Sequence, residues 1–261
     1  MRQVTLTIDG RKVTVPENYT VLEAAKKLNI NIPTLCYLPD INQIGACRMC
    51  LVEVKGARSL QASCVLPVAE GMEVKTNTPQ IRQTRKTILE LILSDHNREC
   101  TTCVRSNNCE LQSLSRQLGI EDIYFKTKLS PSHIDDLSPS IVRDQSKCIL
   151  CRRCIAVCHQ VQGVGVIQAT NRGFHTTVEP AFGLSLNEVA CINCGQCIQA
   201  CPVGALKEKD DTEKVWQALA DPDKHVVVQT APAVRVALGE EFALEPGSIV
   251  TGKMGSALRL L

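Results

Sequence analysis

The chain has 261 residues, 44% of them hydrophobic but only 3% aromatic, and a formal net charge of +2. This length suits two ordinary domains or several small modules, whose thin cores of Val, Ile, Leu and Ala call for added stability such as metal ligation. Lys and Arg form no basic stripe, and no apolar run approaches the roughly 18 residues that span a bilayer; neither a nucleic-acid partner nor a membrane span is expected.

The opening MRQVTLTIDGRKVTV alternates apolar and polar residues and lacks a signal-peptide core, so it reads as mature strand and a cytoplasmic location is expected. Asp9-Gly10 supplies the turn of a hairpin. Thr20 caps a helix over VLEAAKKLN, and Glu23 completes a capping box. CLVEVKGARSLQASC suggests a second hairpin about Lys55-Gly56, giving a small α+β module over residues 1–78. From Pro79 the period becomes helical through Ile81, Thr84, Ile88, Leu91 and Ile92, and this helix delivers His96 into a Cys-rich turn. A shorter helix, CELQSLSRQLG, closes a helical module at 79–119. Residues 120–140, with Pro131 and Pro139, read as a wrapping linker.

CILCRRCIAVC at 148–158 recurs as CINCGQCIQAC at 191–201, an offset of 43, so residues 141–208 are expected to form two half-modules with pseudo-twofold symmetry. The remaining residues, 209–261, carry no Cys. They read as a short α/β segment: a helix around VWQALA, an apolar strand HVVVQT, a helix from Ala231-Pro232 and a last helix from Gly252. Trp216 reads as a packing residue.

Fifteen Cys in a reducing compartment point to metal rather than disulfides, and the odd number implies a ligand of another type. In the repeat, three thiols lie on one tight loop with a fourth at a helix. Such runs hold [4Fe-4S] clusters in which the fourth Cys serves the other cube, giving Cys148, Cys151, Cys154 and Cys201 for one and Cys191, Cys194, Cys197 and Cys158 for its partner. Zinc sites pair C-x2-C units over a longer gap. Pro202 follows the second run, but His159 stands at the matching place in the first and is expected to alter the loop without removing a ligand.

Cys36, Cys47, Cys50 and Cys64 are spaced C-x10-C-x2-C-x13-C, which keeps the middle pair of a plant-type [2Fe-2S] site and widens its first gap. Gly45 and Ala46 let the backbone approach the sulfide. Three Cys remain, and a third [4Fe-4S] cluster on Cys100, Cys103 and Cys109 needs a fourth donor, which His96 supplies. The total is one [2Fe-2S] and three [4Fe-4S] clusters. GSIVTGKM at 247–254 lacks the hydroxyl of a phosphate loop, and GVGV near Gly163 lacks a dinucleotide context, so no flavin or NAD site is expected in this chain. His133, His175 and His225 have no ligand-like spacing, and the Arg152-Arg153 pair reads as solvated.

These sets, in this order over residues 1 to about 208, resemble the N-terminal iron-sulfur region of the large subunit of multi-subunit, NAD(P)-linked, electron-bifurcating [FeFe] hydrogenases, related to the large iron-sulfur subunit of complex I. HVVVQTAPAVRVALGEEF and VTGKMGSALRLL resemble the opening of the hydrogenase catalytic domain. The resemblance implies an α+β multidomain chain: a β-grasp [2Fe-2S] ferredoxin domain, a small helical [4Fe-4S] domain with one His and three Cys ligands, a two-cluster ferredoxin domain and a C-terminal remnant suited to docking. No Cys follows Cys201, so the thiolates of the H-cluster are absent and no hydrogenase activity is expected of this chain alone.

The implied role is a non-catalytic electron-transfer subunit of a cytoplasmic NAD(P)-dependent oxidoreductase from an anaerobe. Implied partners in the hetero-oligomer are a flavoprotein with FMN, an NAD(P) site and iron-sulfur clusters, a small [2Fe-2S] subunit, and ferredoxin. The alternatives are an electron-input fragment of an [FeFe] hydrogenase lacking its H-cluster domain, and a free multi-cluster ferredoxin.

Overall fold

A computed structural model describes residues 2–125 and 132–260, so Pro131 and the middle of the expected linker lie outside the described residues. The chain divides into two compact units, Met1–Lys209 and Asp210–Leu261.

The first unit opens on the hairpin β1 (Gln3–Ile8) and β2 (Arg11–Pro16). Asp9 and Gly10 both take positive φ, 48° and 79°, as a two-residue turn that follows the strand twist requires. The helix α1 (Val21–Lys27) starts at the capping box, with the Glu23 N–H donating to the Thr20 hydroxyl and the Thr20 N–H to the Glu23 carboxylate. Its buried face of Val21, Leu22, Ala24 and Ala25 packs with Leu6, Ile8, Val52 and Val74.

The strands β3 (Leu51–Val54) and β4 (Gln61–Ala62) form the second hairpin. A further strand, β5 (Glu73–Lys75), runs parallel to β1 and antiparallel to β3, giving the sheet order β2-β1-β5-β3-β4. Three residues are too few to display alternation, so nothing in the sequence pattern marks β5. It is nevertheless the strand that joins the two hairpins into one sheet.

Thr78 caps α2 (Pro79–Ser94), with Pro79 in the first turn. Its buried stripe is Ile81, Arg85, Leu89 and Leu93, at i+4 spacing, while Leu91 faces outward. After α3 (Glu110–Gln117), Gly119 takes a φ of 59° and ends the helix.

Part of the expected linker is a structural element. Ile134–Asp135 forms β6, which pairs with β7 (Ile141–Asp144), and β7 pairs in turn with a strand at Leu206–Glu208. Asp135 is buried beside Arg143 at 3.4 Å and accepts the Leu186 N–H at 2.9 Å. A two-residue strand containing a buried carboxylate carries a loop-like composition, which is why the sequence reads as linker.

Between β7 and the Leu206–Glu208 strand lie α4 (Arg153–Ala156), the hairpin β8 (Gln168–Thr170) and β9 (Thr177–Glu179), and α5 (Gln196–Ala200). One hydrophobic cluster extends from Leu35, Cys36, Cys47 and Met49 through Leu89, Leu111 and Leu114 to Ile141, Val178, Val203 and Leu206. The cysteine loops of successive modules therefore share a core.

The second unit holds three helices, α6 (Thr212–Ala220), α7 (Pro232–Glu241) and α8 (Thr251–Leu260), and no strand among the described residues. The α/β reading of this segment is corrected: HVVVQT is irregular, with Val227 and Val228 both 77% exposed. A strand needs a ladder partner, and this unit supplies none. Trp216 is 62% exposed, contrary to its reading as a packing residue.

Removal of the Thr20 side chain tests the local origin of α1. Thr20→Ala should cost about 1 kcal/mol of local stability, or roughly fivefold faster amide hydrogen exchange in the first turn of α1, with the β1–β2 hairpin unchanged. Equal exchange rates in the two proteins would contradict the capping account.

Candidate metal centres

Four thiols converge in the first module. Cys36 follows the helix α1, Cys47 and Cys50 flank a loop that enters β3, and Cys64 follows β4; all four are buried. Gly45 and Arg48 take positive φ of 62° and 56°, which folds that loop back on itself. The Cys50 and Cys64 sulfurs lie 3.3 Å apart. The Leu35 N–H points at Cys47 Sγ at 3.4 Å, and the Cys47 N–H at Cys36 Sγ at 3.5 Å. Hydrogen bonds from Cys47 and then Cys64 hold the Cys36 thiol far down, and Cys64 lowers Cys50 likewise. Cys47 and Cys64 are driven the other way, first by their bonds to Cys36. Such a group shares its protons and exchanges them for cations on metal binding.

In the second module, Cys100 starts a short 3-10 turn and Cys109 caps α3. Burial raises the Cys109 thiol, and the charges of Cys103 and Cys100 add to the rise, so these three sulfurs form one electrostatic group. His96 lies beyond the end of α2, buried, with no hydrogen-bond partner at Nδ1. Burial, and then the charge of Lys147, hold its pKa down to about 4, so the imidazole is neutral at pH 7. Among the described residues no hydrogen bond joins His96 to Cys100, Cys103 or Cys109.

The repeat is symmetrical in backbone as well as in sequence. Leu150 and Arg152 take positive φ of 54° and 61°, and their counterparts Asn193 and Gly195 take 54° and 73°. Each loop leads into a short helix, α4 or α5. Cys201, from the second run, sits with Cys148, Cys151 and Cys154: its charge acts on all three, while burial pushes Cys148 to about 11, Cys151 to about 12 and Cys154 well above its ordinary value. Cys158, from the first run, sits with the second trio, where burial and then Cys191 and Cys194 push Cys197 up to about 12. Cys148, Cys151, Cys154 and Cys201 also line one small cavity, so the second run reaches the first trio. Cys194 alone of the fifteen is exposed.

His159 has the effect its position suggests. Where Pro202 ends the second helix at once, the first continues as a π-helical turn over Val157–Val161, because His159 keeps the N–H that proline lacks. His133, His175 and His225 are all exposed. The Arg152-Arg153 reading is corrected in half. Arg152 is exposed, but Arg153 is buried, and its guanidinium meets the Glu110 carboxylate through two bonds of 2.6 and 2.8 Å.

Two side chains and one glycine fasten the groups together. Asn42 donates to the Cys36 carbonyl at 2.7 Å and the Cys151 carbonyl at 3.1 Å. Arg105 donates to the carbonyls of Ile198 and Cys201 at 3.0 and 3.1 Å. Gly204 lies so close to Cys103 that an added Cβ would stand 2.6 Å from its sulfur. None of these shows in the linear pattern, because each acts from a different module. Among the described residues no group of three or more His, Cys, Asp or Glu is arranged for a single metal ion.

Comparison with known proteins accords with this geometry. Residues 1–79 match the family of the 2Fe-2S iron-sulfur cluster binding domain, and residues 85–123 the NADH-ubiquinone oxidoreductase-G iron-sulfur binding region. Residues 147–205 match the 4Fe-4S dicluster domain, and residues 224–261 the C-terminal domain of the iron only hydrogenase large subunit. The NADP-reducing hydrogenase subunit HndD of Solidesulfovibrio fructosivorans is 49% identical over 100% of this chain and 46% of its own length. The NADH-quinone oxidoreductase G 2 subunit of Rhizobium meliloti is 38% identical over 78% of this chain and 24% of its own length. A chain in the crystal structure of NAD+-reducing [NiFe]-hydrogenase in the H2-reduced state superposes with a TM-score of 0.74 at 31% identity, covering 79% of this chain and 87% of that one. The chain thus spans about half of the first relative and a quarter of the second.

The Asn42 clamp predicts a specific loss. Asn42→Leu leaves two buried carbonyls without their donor, at about 1–3 kcal/mol each, and should lower the thermal midpoint of the anaerobic protein by roughly 4–12 °C. An unchanged midpoint would contradict the clamp. Four successive family matches and these relatives agree: the chain belongs to the family of iron-sulfur electron-transfer subunits shared by NAD(P)-linked hydrogenases and NADH-quinone oxidoreductases.

Proposed function

We propose that this chain relays single electrons between a flavin- and NAD(P)-binding partner and ferredoxin or another redox subunit of an electron-bifurcating complex. The observation that carries the reading is that Cys148, Cys151, Cys154 and Cys201 line one small cavity, although Cys201 belongs to the second run of the repeat. Ordinary thiols at such burial stay protonated, whereas metal-bound thiolates are the form a cluster stabilises. The donor chemistry therefore fits.

Cys36, Cys47, Cys50 and Cys64 would hold a [2Fe-2S] cluster within residues 1–78. Cys100, Cys103 and Cys109 with His96, whose neutral imidazole and unpartnered Nδ1 suit a ligand, would hold a [4Fe-4S] cluster within 79–119. The two crossed sets would hold two more within 141–208. When bound, these groups supply one-electron redox centres. The protein's part is to bury the sulfurs, direct peptide N–H groups at them and fix the modules through Asn42 and Arg105. Proposed partners are a flavoprotein with FMN, NAD(P) and iron-sulfur clusters, a small [2Fe-2S] subunit, and ferredoxin. The name of the first relative, an NADP-reducing hydrogenase subunit, supports a place in such an assembly.

A second reading is favoured by the match of residues 224–261: the chain would be the electron-input portion of a longer [FeFe] hydrogenase. The intact mass of the polypeptide from its native host tests the second reading, which predicts a chain extended by a catalytic domain.

The anaerobic protein should contain about 14 Fe per chain. Cys148→Ser and Cys201→Ser should abolish the same paramagnetic signal and lower iron by up to about four, while Cys158→Ser and Cys191→Ser abolish a different one. Rapid reduction by NAD(P)H should require the flavoprotein. Stoichiometric zinc with little iron, or loss of one shared signal in Cys201→Ser and Cys191→Ser alone, would contradict the assignment.

A further inference from the structure

Arg85 occupies the apolar stripe of α2 between Ile81 and Leu89, with 6% of its surface exposed. One terminal nitrogen donates to the Leu51 carbonyl at 2.7 Å, one residue beyond Cys50, and Nε has no partner. Among the described residues it forms no ion pair. The other deeply buried arginines differ. Arg143 faces Asp135 and Glu179, and Arg153 faces Glu110, so each of those charges is matched by a carboxylate.

An unmatched guanidinium in the interior is costly, and it cannot escape by losing its proton. Burial acts to lower its pKa, and the charge facing it that acts the other way is that of Cys50. The anion that completes this site is therefore the sulfur group of the first module, and any net negative charge that group carries when loaded.

We propose that Arg85 is the counter-charge of the [2Fe-2S] centre on Cys36, Cys47, Cys50 and Cys64, and that it holds the reduction potential of that centre up. The inference rests on the cluster reading above and adds to it a tuning residue. One-electron reduction adds one negative charge to the centre. A fixed cation nearby, in a dry setting and uncancelled by a carboxylate, stabilises the reduced form more than the oxidised one. Arg85 acts through the field at the cluster; it is a positioning residue and not a ligand. Arg82, one turn earlier on the same helix, is exposed and turned to Asn77, so its charge is screened by water.

The test is a dithionite titration of the full anaerobic chain, followed by the [2Fe-2S] paramagnetic signal, for Arg85→Met, Arg85→Gln, Arg85→Lys and the control Arg82→Met. Both neutral variants should show at least a tenfold lower ratio of reduced to oxidised centre at a fixed ambient potential, about 59 mV for a one-electron couple. Arg85→Lys should recover most of that shift, and Arg82→Met and the [4Fe-4S] signals should not move. An intact [2Fe-2S] signal at an unchanged potential in the neutral variants overturns the proposal. If the neutral variants lose this cluster, Arg85→Lys decides: a retained signal near the original potential supports the charge role, and its loss overturns it. Absence of any [2Fe-2S] signal in the unmodified chain would instead sink the cluster reading itself.

Discussion

Buried thiols resist ionisation, and this fold buries them in groups. In the paired loops, desolvation is the main force raising Cys148, Cys151, Cys154 and Cys197, and neighbouring sulfurs raise them further. Left as thiols these side chains are weakly polar packing atoms; as unpaired thiolates they would repel one another. A cationic iron core resolves both problems, replacing protons that the sulfurs release with charge that the interior can hold. The scarcity of aromatic residues then has a physical reading, because the same cysteines sit in the hydrophobic cluster that links the modules. Metal and core are one structural device.

The modules are joined at the cysteine loops themselves. Asn42 ties the Cys36 and Cys151 carbonyls, Arg105 the Ile198 and Cys201 carbonyls, and Gly204 closes on the Cys103 sulfur. These joints bring both N-terminal modules against the group formed by Cys148, Cys151, Cys154 and Cys201. For electron transfer, short and fixed separations are what the protein must provide, and side-chain donors to the backbone carbonyls of the cysteine loops supply them. Arg153 with Glu110 fixes α3 to the first repeat loop through a two-bonded ion pair.

Much of this was legible in the sequence because the chemistry is local. The 43-residue repeat dictates matching positive φ values at Leu150 and Asn193, and Thr20 with Glu23 marks the start of α1. What escaped is what depends on distant partners. The strand β5 is three residues long and has meaning only between β1 and β3. Asp135 reads as linker until Arg143 faces it. HVVVQT has the composition of a strand but lacks a neighbour in its unit, and Trp216 lies exposed on its helix. Arg85 did leave a trace, a charge in the stripe of Ile81, Leu89 and Leu93, yet only the folded chain turns it toward Leu51 and Cys50.

The central claim is that the fold sorts fifteen sulfurs and one imidazole into four separate iron-sulfur sites. Mössbauer spectroscopy of the anaerobically isolated, 57Fe-enriched chain addresses it most directly, because it counts iron by environment. The account predicts [2Fe-2S] and [4Fe-4S] components with areas of about one to six, all of them in tetrahedral sulfur-rich coordination apart from the iron that His96 would bind. A spectrum dominated by mononuclear iron, or one without a [2Fe-2S] component, would contradict it.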